Sequence, residues 1–520
     1  MISYFNCLTE EWLSIKDKKN NLGWAVGMSL VVGIISHGFF MTNKFSYHDD
    51  LTALFSGGAS YSSGRWALGI LSKISRLLFG GECSIPFYNG IMNIIILSIA
   101  AILIIMMFDV QTKCVSALIG MIIVSHPTVA CILTYGGGSI YYQISFLLSI
   151  LGAYILVNKK FGRMRYILSA FIICFATAIY QSYFQVATLL VVFYLFMQTL
   201  RENSWKTILK DGIIYLIVLI FAIGSYIFLA RIIANVLVGG LSSYAGIDNM
   251  GQISVIDLIG GVGKAYLSII PFANQNISDL FGGSMEYIYY IIYVLLIALV
   301  IQTIKVNPHD KFIIFERVIF FMLIPLAMNL VCIMQVNNFG YSMTSTSLVF
   351  IFVLAMIFSE RICTRESQVV RFGYIIILTC VLISSIYYAR LDNKFYLKEE
   401  FLKTQTISYF TAMVSEIRSL NEYSDELPVA YIGIEHLNDK TLTYIPEFTN
   451  INMRPFHRNE LITEHNMDKY MAYWCGFQPE KYEDIKTLQS NATVQSMPSY
   501  PDAGAIQIID GVIVVKLGDI

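Results

Sequence analysis

The sequence predicts an all-α polytopic membrane protein of about eleven transmembrane helices, with a small extracytoplasmic α/β domain at its C-terminal end. Hydrophobic residues make up 56% of the 520 residues and charged residues only 14%, against about 25% charged residues in ordinary soluble domains. The apolar residues form runs of about 20, the length at which a helix crosses the hydrocarbon core of a bilayer. No basic patch accompanies the net charge of −1, which excludes nucleic-acid binding.

The apolar runs locate the helices, because short polar or charged loops separate them. The first run has no small-residue cleavage site, which indicates a retained span rather than a signal peptide. We place the spans near residues 22–41, 88–108, 114–133, 139–158, 166–180, 183–199, 213–236, 285–304, 316–335, 343–359 and 371–388.

The distribution of lysine and arginine predicts the orientation, because these residues favour cytoplasmic loops. One set of loops is basic, for example 159–165 and 361–371. The short loops of the other set, 134–138, 180–182 and 336–342, contain no Lys or Arg. We therefore expect the N-terminus in the cytoplasm and the C-terminal domain outside the cytoplasmic membrane.

Composition divides the chain into a membrane domain, residues 1–389, and a soluble α/β domain, residues 390–520. In the second domain, residues 395–420 have helical periodicity, and residues 428–434 have the composition of a short buried strand. The dipeptide Asp510-Gly511 between two apolar runs predicts a β-hairpin.

Two of the predicted outer loops are long, at about 42–87 and 237–284, and each contains a stretch typical of a helix that lies in the membrane interface. These stretches are residues 65–79 and 253–270. In the first, apolar and polar residues recur on opposite faces of a helix. The apolar face comprises Trp66, Ile70, Ile74, Leu77 and Leu78, and the polar face comprises Arg65, Ser72, Lys73 and Arg76.

The segment Tyr47-His48-Asp49-Asp50, directly after the first span, is the most informative candidate for chemistry. A carboxylate at a membrane surface can act as a general base towards a hydroxyl group or hold a divalent cation. The same pair is also compatible with two solvated charges that end a helix. The residues around the pair are therefore needed to distinguish these interpretations.

Arg65, Lys73 and Arg76 follow in the same loop, so cations and carboxylates share one stretch of membrane surface. An enzyme that handles a membrane-bound phosphosugar needs this combination, because cations neutralise the charge of the departing phosphate. The alternative is that these side chains extend from an interfacial helix towards anionic lipid head groups. Arg231, near the outer end of the seventh span, and Lys264, in the second long loop, are further candidates for phosphate binding.

Polar residues near the predicted outer ends of spans are candidates for substrate binding, namely His48, Tyr142, Gln143, Tyr180 and Gln181. An amide that faced lipid would lack hydrogen bonds, so both glutamines are expected to face a cavity or another helix. Tyrosine is also a common anchor at membrane interfaces. No dense acidic cluster demands a metal, so a divalent cation is an option rather than a requirement, and no phosphate-binding loop for ATP is present.

Three segments resemble the GT-C superfamily of glycosyltransferases and, within it, the bacterial serotype-converting type II O-antigen glucosyltransferases. They are Tyr47–Leu51, Ser63-Gly64-Arg65-Trp66 and Tyr180-Gln181-Ser182. The many-span body and the outward C-terminal domain add to the likeness. The resemblance implies transfer of a hexose, expected to be glucose, from a polyprenyl-phosphate donor to a cell-surface polysaccharide or a lipid-linked glycan.

In such enzymes the catalytic carboxylate usually lies in the first outer loop, a role that would fall here on Asp50 as the base, with Asp49 in support. Arg65 would contact the donor phosphate or stabilise the fold. Single displacement with inversion needs one base on the ring face opposite the leaving group. The alternatives are a flippase or other transporter of lipid-linked oligosaccharides, and a polysaccharide polymerase. Polar groups concentrated near the outer face favour a transferase over a transporter.

Overall fold

The computed structural model describes residues 18–45, 61–80, 84–201, 204–243, 254–270, 285–306, 311–334, 342–363, 368–433 and 467–518. Helices dominate these residues, as the apolar runs predict. The helices up to residue 418 are α1 (Lys19–Thr42), α2 (Trp66–Phe79), α3 (Pro86–Phe108), α4 (Lys113–Ser125), α5 (Pro127–Leu133), α6 (Ser139–Val157), α7 (Met164–Ile179), α8 (Phe184–Gln198), α9 (Trp205–Val238), α10 (Val255–Leu267), α11 (Met285–Val306), α12 (Lys311–Met328), α13 (Val331–Met334), α14 (Val349–Cys363) and α15 (Gln368–Arg418). Short 3₁₀ helices lie at Gly136–Gly138, Lys159–Phe161, Gln181–Tyr183 and Ser342–Leu348.

The described helices confirm an all-α polytopic membrane protein. Seven of them are long and apolar enough to cross a membrane, and the bent pair α4 and α5 makes an eighth if it is one span. Every predicted span coincides with a helix, but α7, α8 and α12 are not among these seven. The total of about eleven spans therefore stays a prediction.

The helices pack into one bundle around α1 and α6. The first packs on α3, α4 and α15, and the second on α3, α7 and α8. Further along the chain, α8 packs on α12, and α9 on α7. Large aromatic side chains such as Phe146, Phe193 and Phe350 are almost completely buried between helices. Apolar side chains on the outside of the bundle, such as Phe221, are exposed, as expected of a surface that contacts lipid.

The bend between α4 and α5 measures 42° and lies at His126-Pro127. Proline has no N–H group and cannot continue the helical hydrogen-bond pattern. The last carbonyl groups of α4 therefore lack helical partners, and His37 of α1 supplies one of them. Its Nε2 lies 2.8 Å from the carbonyl oxygen of Val124. A buried histidine on α1 thus stabilises a break in a neighbouring helix.

The longest helix, α15, has 51 residues and a length of about 75 Å, far more than the hydrocarbon core of about 30 Å. It joins the last predicted span and the helix predicted over residues 395–420 in one continuous helix. No Gly or Pro occurs between residues 374 and 418, and those are the residues that most readily interrupt a helix. The predicted domain boundary at residues 389 and 390 lies inside α15.

The C-terminal region, defined here as residues 429–433 and 467–518, contains a small sheet. Its strands β1 (Val429–Ile432), β2 (Ile506–Ile509) and β3 (Val512–Lys516) lie in the order β1-β3-β2, with β1 parallel and β2 antiparallel to β3. Asp510 and Gly511 have φ values of 52° and 77°, as a tight two-residue hairpin turn requires, so the predicted hairpin is confirmed. Three helices accompany the sheet, α16 (Met467–Cys475), α17 (Ile485–Gln489) and α18 (Ala492–Ser496).

The outer part of α15 belongs to the core of this region. Phe410, Met413 and Ile417 are fully buried together with Tyr470 of α16 and Val515 of β3. One continuous helix therefore packs against the membrane bundle at its first half and against the C-terminal region at its second.

Candidate active site

The predicted catalytic carboxylates Asp49 and Asp50, together with His48, lie outside the described residues. The chain that leads to them is anchored, because the ring of Phe45 stacks on Tyr396 of α15 with centroids 6.4 Å apart. Phe45, the last described residue before this segment, is thus held against α15.

The Gly-Arg-Trp motif packs against α7 and α9. Gly64 has a φ of +71°, and a Cβ atom there would lie 2.9 Å from the hydroxyl oxygen of Tyr226 on α9. Trp66 begins α2 and is buried, with its ring edge-to-face on Phe175 of α7 at 5.8 Å. Glycine is therefore required for both backbone conformation and space, and tryptophan anchors the first turn of α2. Local sequence carried no signal for the role of Tyr226.

Arg65 is held against the turn that joins α7 to α8. Its Nε donates a hydrogen bond to Oε1 of Gln181 at 3.3 Å, and its guanidinium lies over the ring of Tyr180 at 5.2 Å from the centroid. Nε2 of Gln181 donates in turn to the carbonyl oxygen of Ser63 at 2.7 Å. Two predicted site segments that are far apart in sequence therefore meet, and their contacts hold the guanidinium of Arg65 in a defined orientation.

Tyr180 belongs to a cluster of tyrosine rings, which we call the tyrosine cluster. It comprises Tyr135, Tyr142, Tyr180 and Tyr183. The ring centroids of Tyr142 and Tyr180 lie 5.0 Å apart, and the other two rings lie 5.7 Å from Tyr142 and 5.3 Å from Tyr180. Two of the four were predicted as site residues, and the others were missed. All four tyrosines lie next to turns between predicted spans, and this position is the sequence feature that could have identified the two missed residues.

Gln143 is completely buried inside the bundle. Neither atom of its side-chain amide has a hydrogen-bond partner among the residues that the structure describes. Buried polar groups are nearly always hydrogen-bonded, so this amide stands out in a site region otherwise rich in hydrogen bonds. The expectation that it turns away from lipid is confirmed.

Lys73 and Arg76 lie on the exposed side of α2. Nζ of Lys73 is 5.1 Å from the ring centroid of Tyr61, and Nη2 of Arg76 donates to Oγ of Ser72 at 3.3 Å. Ser72 itself is buried, so this residue of the predicted polar face is turned towards the bundle. The apolar side chains at the end of the helix face outwards, with Leu77 85% exposed.

Arg231 and Lys264 both have exposed side chains but lie on different helices. Arg231 follows Ala230, whose Cβ is 3.7 Å from the place where a Cβ of Gly64 would lie, so it is near the Gly-Arg-Trp motif. Lys264 is on α10, which packs mainly on α12 and α13. Arg65 contacts both residues of the 180–181 turn, whereas Lys264 belongs to another part of the bundle.

A metal site finds no support in the described part of the chain, where no group of three or more His, Cys, Asp or Glu side chains is close enough to hold an ion.

Comparison with known proteins gives one match. The family model described as Glucosyl transferase GtrII matches residues 38–359, from the end of α1 into α14. All the predicted site residues lie within this range. Neither the curated proteins nor the solved structures contain a match. The match confirms the resemblance drawn from the Asp-Asp, Gly-Arg-Trp and Tyr-Gln-Ser segments.

Proposed function

Because the chain belongs to the glucosyl transferase GtrII family, we propose that it transfers glucose from a polyprenyl-phosphate carrier to a cell-surface polysaccharide or a lipid-linked glycan. The reaction takes place at the extracytoplasmic face of the bacterial cytoplasmic membrane. The family supports a glycosyltransferase that acts on glucose, and the apolar helices support a membrane protein. Donor, acceptor and side of the membrane are our proposal.

The observation that carries the proposal is the fixed position of Arg65. Its contacts with Gln181 and Tyr180 hold the guanidinium of the Gly-Arg-Trp motif at the start of α2. A guanidinium forms strong paired hydrogen bonds with phosphate oxygens, and a preorganised cation stabilises the charge that develops on a leaving phosphate. Lys73, Arg76, Arg231 and Lys264 add positive charge that attracts the donor head group.

The chemistry is a single displacement with inversion at the anomeric carbon. The acceptor oxygen attacks this carbon as the bond to the phosphate oxygen breaks, and the polyprenyl phosphate leaves with the bonding electrons. Asp50 takes the proton of the acceptor hydroxyl, and Asp49 supports it. One base is sufficient because Arg65 neutralises the leaving group, so a second carboxylic acid has no necessary role.

We assign the binding of the sugar to polar and aromatic side chains of the predicted site. Tyr142 and Tyr180 offer ring faces, and Gln143, Gln181 and His48 offer hydrogen-bonding groups. The amide of Gln143, which has no partner among the described residues, is suited to a sugar hydroxyl that enters the bundle, because binding would satisfy a group that is costly to leave unpaired.

The experiment uses purified protein with radiolabelled polyprenyl-phosphate glucose, mannose or galactose, and membrane extract as the acceptor. We expect label from the glucose donor to become alkali-stable in the glycan fraction, with anomeric configuration opposite to that of the donor. In sealed vesicles, movement of the donor without a new glycosidic bond would identify a transporter. Joining of whole repeat units would identify a polymerase. Either result contradicts the proposal.

A further inference from the structure

Arg165, the second residue of α7, is buried although it carries a charge. Only 6% of the residue is exposed. Its guanidinium lies over the rings of Tyr166 and of Tyr215 on α9, at 4.8 and 5.9 Å from their centroids. Nη2 donates a hydrogen bond to the hydroxyl oxygen of Tyr166 at 2.8 Å. Arginine is rarely buried to this extent without a partner of opposite charge.

The described residues provide no such partner. None of the carboxylates among them forms an ion pair with Arg165, and its shielded Nη1 has no hydrogen-bond acceptor there. The hydroxyl group of Tyr215 is completely buried and also has no partner in the described part of the chain. A buried charge without a counter-ion is strongly destabilising. The contact between α7 and α9 therefore contains a charge that an anion would stabilise.

The surroundings of Arg165 are predominantly cationic. Four charged side chains are close enough to the hydroxyl group of Tyr194 on α8 to interact with it electrostatically, namely Arg165, Arg201, Lys159 and Asp211. The carboxylate of Asp211 already pairs with Nζ of Lys159 at 3.0 Å. Three cations and one carboxylate leave an excess of positive charge where the ends of α7, α8 and α9 meet.

Arg165 lies at the level expected for lipid head groups. The helix α7 begins one residue earlier, and its next two turns expose the apolar side chains of Ile167 and Phe171, at 69% and 66%. Such side chains contact acyl chains in a membrane, and the head groups lie directly beyond the hydrocarbon core. A phosphate at this level can therefore belong to a lipid whose acyl chains lie along α7.

We propose that Arg165, Lys159 and Arg201 form a binding site for a phosphate group, and that its occupant is the head group of an anionic phospholipid. A guanidinium forms paired hydrogen bonds with phosphate oxygens, and basic pockets between transmembrane helices bind anionic head groups. The phosphate supplies the counter-ion that Arg165 lacks among the described residues. This site lies at the opposite end of α7 from the 180–181 turn, so it is separate from the contacts of Arg65.

The test measures thermal unfolding of the full-length protein, purified in a neutral detergent and freed of lipid. Phosphatidylglycerol or phosphatidylcholine is then added in mixed micelles. A ligand that binds only the folded protein raises its unfolding temperature, and we expect phosphatidylglycerol to raise it by about 5 °C. Phosphatidylcholine should raise it by less than about 1 °C, because its choline cation neutralises the phosphate charge.

Inorganic phosphate separates the two possible sources of the phosphate group. It is added as the sodium salt, with sodium chloride at equal ionic strength as the control. We expect no shift, because inorganic phosphate lacks the acyl chains that contact α7. A shift equal to that with phosphatidylglycerol would overturn the lipid as the occupant and support a soluble phosphate compound at the same site.

Three variants connect the shift to Arg165. Arg165→Met should lose it, whereas Arg163→Met, which removes the same charge from an exposed position two residues earlier, should keep most of it. Arg165→Lys keeps the buried charge without the planar fork and should retain about half of the shift. Each variant is measured with and without lipid, so a lower starting stability does not affect the comparison.

Native mass spectrometry of the same samples provides a direct measure of binding. Arg165→Met should retain less phosphatidylglycerol than Arg163→Met. Equal shifts in Arg165→Met and the wild type would overturn the inference, as would a wild type that neither phosphatidylglycerol nor inorganic phosphate stabilises. Neither measurement requires glucose transfer, so the outcome is independent of the proposed function.

Discussion

Two short helices outside the spanning set, α2 and α10, have the same amphipathic pattern but different anchors. Both expose apolar side chains, with Leu77 of α2 85% exposed and Ile256 of α10 82% exposed. The first is fixed by polar contacts from Arg65 to the 180–181 turn. The second is fixed by close backbone approach, since a Cβ on Gly261 would lie 2.9 Å from the carbonyl oxygen of Cys332.

An amphipathic pattern typical of an interfacial helix does not by itself identify a functional site. Each helix carries a basic residue that was predicted to bind phosphate. These residues are Arg65, directly before α2, and Lys264, within α10. Arg65 contacts the predicted site residues Gln181 and Tyr180, which hold its charge in one orientation, whereas Lys264 lies on a helix that packs mainly on α12 and α13. The anchor, rather than the amphipathic face, distinguishes a candidate catalytic element from a structural one.

The largest expected difference between the two helices is the effect of removing Arg65. Arg65→Met should lower kcat/KM about 100-fold, because one preorganised charge on the leaving group is lost. Arg65→Lys should recover only part of it, since an ammonium lacks the planar fork and stacks less well on Tyr180. The assay is glucose transfer with purified variants whose unfolding temperatures match the wild type. Transfer within about threefold of the wild type by Arg65→Met would remove the distinction between α2 and α10.

An alanine substitution at the glycine that lies in the packing contact of each helix should lower activity in the case of α2 and stability in the case of α10. Gly64→Ala places a side chain on a residue in the left-handed backbone conformation, at a cost of about 1 kcal/mol or more. The new Cβ atom would also clash with the hydroxyl group of Tyr226. We therefore expect Arg65 to shift and glucose transfer to fall about tenfold. Gly261→Ala pushes α10 away from α13 and should lower the unfolding temperature, with kcat within about twofold of the wild type. Thermal unfolding and transfer assays on both variants provide the measurement. The reverse pattern, with transfer lost in Gly261→Ala, would place the site at α10.

The smallest expected effect concerns the exposed lysines. Lys73→Met and Lys264→Met should each raise KM for the donor about twofold and leave kcat unchanged, because exposed charges act at long range and are screened by salt. Steady-state assays at low and high ionic strength test this. The two KM values should approach that of the wild type as salt is added. A fall in kcat for Lys264→Met alone would assign α10 the role that we give to α2.

Much of the fold follows from sequence, because each apolar run has to form a helix within lipid. Each predicted span coincides with a described helix, and the Asp510-Gly511 hairpin has its expected turn. The continuity of α15 was missed because a change from apolar to soluble composition indicates where a bilayer ends and gives no information on where a helix ends.

The sequence was sufficient to predict individual residues of the candidate site, but not the contacts between them. Tyr180 and Gln181 were candidates because polar residues near the ends of apolar runs need hydrogen-bond partners. Arg65 was a candidate because it shares one loop with the two predicted carboxylates. Their contact depends on the packing of α2 against α7 and α9, for which the local sequence has no signal.

The most direct test of the central claim is transfer of radiolabelled glucose from polyprenyl phosphate by Asp50→Asn, with Asp49→Asn beside it. The amide has the shape of the carboxylate but cannot accept the acceptor proton, so Asp50→Asn should lose at least about 1,000-fold in kcat. Asp49→Asn should retain a measurable fraction of transfer, and both variants should insert and unfold like the wild type. Wild-type rates in both variants would contradict the assignment of a carboxylate base to this segment.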